Sequence, residues 1–295
     1  MVPLLEIYTY IDDFCKVFEQ ELQKNALPRS KLKRKSRMSL SEIMTILIMF
    51  HLSKYRTFKD FYLNSICCYY TNDFKDLLSY NRFVELMPSA LAPMFVMLHG
   101  LEGQKTGKYF VDSTKLVVCH NLRIVRNKVF KGCAKRGKTS TGWFFGFKLH
   151  LILNDQGEIM NFKFTTGNTD DRSVVEEIAK KLKGWLFGDR GYISKKLNKS
   201  LQEQGLELIT TLKHNMKKQI IAPLKKYYLS KRGIIETVID QLKNLLHLDH
   251  TRHRSVLNFQ VNAIGAMIAY AFKPKKVSIK FHQQLERFGM PISSN

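Results

Sequence analysis

The stretch Phe144 to Leu153, Phe-Phe-Gly-Phe-Lys-Leu-His-Leu-Ile-Leu, is long, apolar and rich in β formers, and it ends at Asn154-Asp155-Gln156-Gly157. Ile159 to Thr166 resumes the same texture, so the whole is a strand–turn–strand unit and commits this part of the chain to a sheet. Tyr109-Phe110-Val111 ahead of it and Trp185-Leu186-Phe187 behind it read as shorter strands, with a last one at about 206–212. Helices are expected at 172–183, 194–204, 230–247 and 255–272. Up to about residue 100 the spacing is helical, over 3–24, 57–70 and 81–98, and Ser39 with Glu42 makes a capping box ahead of Ile43, Ile46, Leu47 and Phe50. The expected fold class is α/β: an all-α N-terminal region, 1–100, followed by a mixed sheet flanked by helices, 101–295.

Charge narrows the partners. Lys and Arg number 48 against 25 Asp and Glu, a net +23, which calls for a polyanion: nucleic acid first, an anionic membrane surface second. The basic residues gather at Lys31-Leu32-Lys33-Arg34-Lys35-Ser36-Arg37 and between Arg123 and Lys148, where Arg126, Lys128, Lys131, Lys135, Arg136 and Lys138 occur with no acid among them. The second run reads as a loop laid against a DNA backbone, with a solvated face as the plainer alternative. The apolar stretch Ile43 to Leu52 is broken by Thr45 and His51 and too short to span a bilayer, so no membrane is expected. The five cysteines form no Cys-x-x-Cys pair and Met1 leads directly into Pro3 and Glu6, so a cytoplasmic setting is expected.

Asp112 and Asp189 each follow a run of apolar strand residues, the place where open α/β sheets gather reacting groups, although an Asp at a strand end is also a common turn former. Glu236 sits beside the apolar stripe Ile235, Val238, Ile239, Leu242 and Leu246, on nearly one line with Arg232 and Lys243; a surface helix with an i,i+4 pair fits it as well. Three such carboxylates suit Mg²⁺ or Mn²⁺, two ions together serving phosphoryl transfer.

Val111-Asp112-Ser113-Thr114, Gly188-Asp189-Arg190-Gly191-Tyr192 and Arg232-x3-Glu236-x6-Lys243, in this order, resemble the DDE transposases of bacterial insertion sequences. Lys131 to Lys148 and Arg252-His253-Arg254-Ser255 narrow the resemblance to a smaller group within them, over about residues 107–272. It implies a ribonuclease-H-like catalytic domain in which Asp112, Asp189 and Glu236 hold two Mg²⁺ or Mn²⁺ ions. Arg232 and Lys243 would handle DNA and Tyr192 would flank the site. Lys135, Arg136, Lys138, Arg252 and Arg254 join the expected DNA contacts. There is one departure: the tyrosine expected three residues before Arg232 is Leu229, with Tyr228 one place further back.

The implied activity is binding of double-stranded DNA at the ends of an insertion sequence, then metal-dependent cleavage and strand transfer. The protein would act as a homo-oligomer associated with a bacterial nucleoid. A nuclease that stops after hydrolysis and a non-catalytic DNA-binding protein are the alternatives. Asp170 and Asp171 are expected to cap the helix that follows them, and Asp240 is the rival to Glu236. His247, His250 and His253 suggest a phosphate-facing role rather than zinc, and Cys67-Cys68-Tyr69-Tyr70 core packing on a helix.

Overall fold

Ser39 opens the first long core helix by the reciprocal bonds its sequence announces: its hydroxyl accepts the Glu42 N–H at 3.1 Å, and the Glu42 carboxylate accepts the Ser39 N–H at 2.6 Å. The structure, a computed structural model, describes residues 3–24, 36–211, 221–249 and 253–279. Helices α1 (Leu4–Lys24), α2 (Leu40–Leu52), α3 (Phe58–Phe61), α4 (Cys67–Tyr69), α5 (Tyr80–Leu86) and α6 (Leu91–Gly100) come first. Strands β1 (Lys108–Cys119), β2 (Lys135–Thr139), β3 (Gly142–Asn154) and β4 (Ile159–Thr166) follow. Then come α7 (Arg172–Ile178), β5 (Gly184–Gly188), α8 (Lys195–Glu203), β6 (Leu206–Thr210), α9 (Pro223–Ser230), α10 (Gly233–Asp240) and α11 (Val256–Ala271).

The strands form one mixed sheet in the order β2-β3-β1-β5-β6, with β4 also on β3. β1 runs antiparallel to β3 and parallel to β5, which is parallel to β6. The turn at 154–157 is built as its residues demand. Asn154 Oδ1 accepts the N–H groups of Gln156 and Glu158, and Gly157 takes the left-handed φ of 73°. Burial on both faces explains the apolar run of β3. Leu149, Leu151 and Leu153 join Phe110 and Phe187 in a core with α2, α10 and α11, while Ile152 joins Val111 and Leu186 in a second core with α7 and α8. This is the ribonuclease-H-like α/β arrangement expected, with a helical N-terminal region ahead of it.

Several elements differ from expectation. Residues 57–70 are two short helices around a π-helical turn at Tyr62–Ile66, and Cys68 and Tyr69 face solvent instead of the core. The helix at 172–183 stops at Ile178, and 230–247 is α10 followed by a π-helical turn at Gln241–Leu245. The basic run is not a loop throughout, since Lys135–Thr139 pairs with β3 as β2. The helical run 80–100 is longer than the Ile43–Leu52 stretch, and by length and composition it would reach across a membrane. Its apolar residues Phe83, Met87, Ala90, Met94, Met97 and Leu98 are spent in the core, and a 3₁₀ turn at Met87–Ala90 interrupts it.

β2 and β4 share one edge of β3 because glycines meet there. Gly167 donates to Gly146 O at 3.0 Å, and a Cβ added to Gly137 would lie 2.0 Å from Gly167 O. Gly137→Ala is therefore expected to cost about 1–3 kcal/mol, read as a lowered thermal midpoint. An unchanged midpoint would show that β2 is not seated against the end of β4.

Candidate active site

Phe110 of β1 lies opposite Phe187 of β5 in the parallel register, their rings stacked at 5.4 Å on the α10 side of the sheet. Two residues further along each chain come Asp112 and Asp189. Alternation along β1 turns Asp112 to that side, and Asp189, one residue past the end of β5, lies close enough for its charge to act on Asp112. β5 ends at Gly188 while β1 continues to Cys119, so Asp112 stands where the sheet loses its neighbour and opens. Each carboxylate is held by a local backbone bond. Asp112 Oδ1 accepts the Ser113 N–H at 2.8 Å, and Asp189 Oδ1 accepts the Gly191 N–H at 2.7 Å at the start of a 3₁₀ turn, Arg190–Tyr192.

α10 packs across β1 through Ile235 and Val238, which turns Glu236 outward along the helix. Glu236 is exposed and pairs with Arg232 at 2.9 Å. Asp112 registers the whole group. Burial lifts its carboxyl to about 6, the Ser113 N–H and Arg232 oppose this, and the charges of Asp189 and Glu236 add to the rise. The two aspartates, Glu236 and Arg232 thus lie within electrostatic reach of one another, although among the described residues no three acidic, His or Cys side chains converge as a ready-made metal cage.

By donor chemistry the group fits a hard divalent cation. Its ligand atoms are carboxylate oxygens, and Asp112 is a half-buried acid whose ionisation is disfavoured by two like charges, the condition that a nearby cation relieves. The ion pair with Arg232 is what Glu236 would exchange for such a contact.

The other expected residues are placed as follows. Lys243 lies in the π-helical turn and points inward, its Nζ donating to Lys115 O at 2.7 Å and pairing with Asp249 at 2.8 Å, so it ties this turn to β1. Tyr192 does not face outward. Its ring is buried with Val111 and Leu197, and burial, then Asp112, Asp171 and Asp189, push its hydroxyl well above the usual phenol range. Lys135, Arg136 and Lys138 are exposed on β2, with Lys138 Nζ 5.8 Å from the centre of the Trp143 ring. Arg254 is exposed, whereas Arg252, His250 and residues 31–35 of the first basic run lie outside the described residues. Asp240 accepts a hydrogen bond from the Asn244 amide at 2.6 Å on the exposed side of its helix.

The two described histidines of the trio, His247 and His253, pack against aromatic rings. His247 is buried and stacked on Phe50, and His253 meets Phe259 edge-on, its pKa lowered to about 4 by burial. Asp170 does serve its helix start, accepting from the Arg172 N–H at 3.0 Å, but Asp171 makes no cap. It is instead the counter-ion of Lys148, at 2.8 Å, and Lys148 is a buried residue of β3 rather than part of the basic surface. A lysine inside an otherwise apolar strand run was the signal available for that pairing.

A sequence model described as a transposase DDE domain matches residues 102–256, a span that holds Asp112, Asp189 and Glu236. Among solved structures the chain is similar to the piggyBac transposase seen by cryo-electron microscopy in a synaptic complex with hairpin DNA. The identity is 13% and the TM-score 0.50, with 100% of this chain and 78% of that chain covered. At that identity the likeness speaks for the fold. No curated protein sequence matches the chain. The matched span covers more than half the chain and contains the sheet that brings Asp112 beside Asp189, and on that match the chain belongs to the transposase DDE domain family.

Proposed function

We propose that this transposase binds double-stranded DNA at the ends of a bacterial insertion sequence and cuts and joins it at Asp112, Asp189 and Glu236. The observation that carries the reading is the shared electrostatic environment of Asp112, Asp189, Glu236 and Arg232 at the open end of the β1–β5 pair. The three acids would hold Mg²⁺ or Mn²⁺, which when bound supplies Lewis-acid activation of a phosphodiester for in-line attack. Asp112 and Asp189 keep their carboxylates oriented by the Ser113 and Gly191 N–H groups. Arg232, freed from Glu236, offers a bidentate guanidinium to a DNA phosphate. Hydrolysis would expose a 3′-hydroxyl at the element end, and that hydroxyl would attack target DNA. A homo-oligomer pairing two ends fits this chemistry.

The exposed cations of β2 supply sequence-independent grip. Neutralising Lys135, Arg136 and Lys138 together should flatten the salt dependence of DNA binding by about 0.9 for each phosphate that is no longer neutralised, up to roughly 2.7 in the log–log slope. An unchanged slope would remove β2 from the interface.

The activity itself is tested with the purified chain, Mg²⁺ or Mn²⁺, and a plasmid carrying the gene with its native flanking DNA. Joined strands that disappear in both Asp189→Asn and Glu236→Gln support the reading. Nicks without joining point to a nuclease. The Arg232–Glu236 ion pair is what a non-catalytic surface helix would also show, and binding without cleavage would favour that second reading.

A further inference from the structure

Residues 120–127 leave the end of β1 as a succession of i→i+3 turns. Arg123 N–H bonds His120 O, Ile124 N–H bonds Asn121 O, Arg126 N–H bonds Arg123 O and Asn127 N–H bonds Ile124 O, at 2.8, 3.3, 3.1 and 3.2 Å. Only Asn121–Arg123 is 3₁₀ helix, but the i→i+3 pattern continues through the turns after it, and such turns set side chains three apart on similar sides of the segment, which sorts these residues into three ridges. One ridge fastens it to the protein. The Asn121 amide donates to Trp143 O at 2.9 Å, Ile124 packs on the core, and Asn127 Oδ1 accepts the Phe130 N–H at 3.0 Å. The second ridge is apolar and almost bare, Leu122 being 86% and Val125 93% exposed. The third is cationic, Arg123 and Arg126, both exposed. Beyond it lie the exposed Lys128 and Lys131, and on β2 Lys135 and Arg136.

Two aliphatic side chains aligned in water gain nothing for this fold, since the first ridge already anchors the segment. The charge around them selects a polyanion as their partner, and an apolar ridge bordered by arginines is the combination that enters the minor groove and parts stacked bases while the cations hold the flanking phosphates.

We propose that Leu122 and Val125 form a wedge that deforms duplex DNA, with Arg123 and Arg126 gripping the backbone beside it. The inference rests on the transposase reading for its substrate, double-stranded DNA, and adds a distortion at a defined place. The ridge residues are about 6 Å apart, roughly two base steps.

The test uses the full chain and 60-base-pair duplexes cut from the DNA flanking the gene, each with 2-aminopurine at one of a series of positions, in buffer without divalent cation so that no cleavage is required. Wild type is expected to raise the fluorescence several-fold at one or two neighbouring positions. The double substitution Leu122→Ala with Val125→Ala should abolish that rise, leave the thermal midpoint unchanged and retain the salt slope of binding. Arg123→Gln with Arg126→Gln should instead flatten the slope by about 1.8. A fluorescence rise that survives in the alanine variant, or an alanine variant that changes the sedimentation of the free protein and not the DNA signal, overturns the wedge, the latter making the ridge a contact between copies of the chain. Strand joining by the wild type together with an undistorted duplex defeats the wedge alone. A distorted duplex without cleavage when Mg²⁺ is added defeats the catalytic reading alone.

Discussion

Asp112→Asn is expected to end strand cleavage and at the same time to make the metal-free protein more stable. The sign follows from linkage. The folded carboxyl is raised from 3.8 to about 6, so the fold prefers the protonated acid. The associated stability is fully present below pH 3.8 and is lost as pH rises through 6, above which the ionised group weighs against folding by on the order of 2–3 kcal/mol. Asparagine keeps the acceptor for the Ser113 N–H and carries no charge, so at pH 7.5 the variant should melt roughly 5 °C higher than wild type, with the difference closing below pH 4. Mg²⁺ should raise the wild-type midpoint and leave the variant's unmoved, while strand cleavage falls on the order of a thousandfold or more, as loss of several kcal/mol of charge stabilisation requires. Calorimetry across pH with and without Mg²⁺ reads all of this, and a variant that melts with wild type at both pH values would show that Asp112 is not under the pressure of burial and its acidic neighbours.

Asp171→Ala, which removes the counter-ion of a buried sheet lysine from the loop before α7, should be strongly destabilising. Lys148 is 8% exposed and its ammonium is held by Asp171 Oδ1 and Thr169 O, each at 2.8 Å. Removing the carboxylate leaves a buried cation with one carbonyl for company, at a cost of about 3–5 kcal/mol. His150, buried on the same strand with Nε2 2.8 Å from Thr165 Oγ1, has its pKa lowered to about 4 by burial in spite of Asp171, so it does not restore the charge balance. Adding Lys148→Met to Asp171→Ala should recover most of the loss, because an apolar pair of similar volume removes the unpaired charge. Urea denaturation of the single and double variants measures the coupling; a single variant within about 1 kcal/mol of wild type would mean that water reaches Lys148.

Local bonds were the part of this protein open to reading from the chain alone. The Ser39–Glu42 box and the Asn154–Gly157 turn form from residues a few positions apart, and most of the strands and helices around the three acids follow in outline from apolar spacing, β2 excepted. The ordered motifs around Asp112, Asp189 and Glu236, with the Lys131–Lys148 and Arg252–Ser255 stretches, suggested the family. What needed the folded molecule was everything set by a partner from elsewhere: the parallel register that puts Asp112 beside Asp189, the inward turn of Lys243 onto Lys115 O, and the burial of Tyr192. Lys148 shows why. In the sequence it closes a basic run while standing inside an apolar strand stretch, and only the strand alternation of β3 and the arrival of Asp171 from the loop beyond β4 turn it into a buried ion pair. In the same way, the i→i+3 turns of 120–127 separate bare apolar side chains from the arginines next to them. A residue's charge and shape are properties of the sequence, but its surroundings depend on which element packs opposite, and that is decided by long-range burial and hydrogen-bond pairing in the tertiary structure.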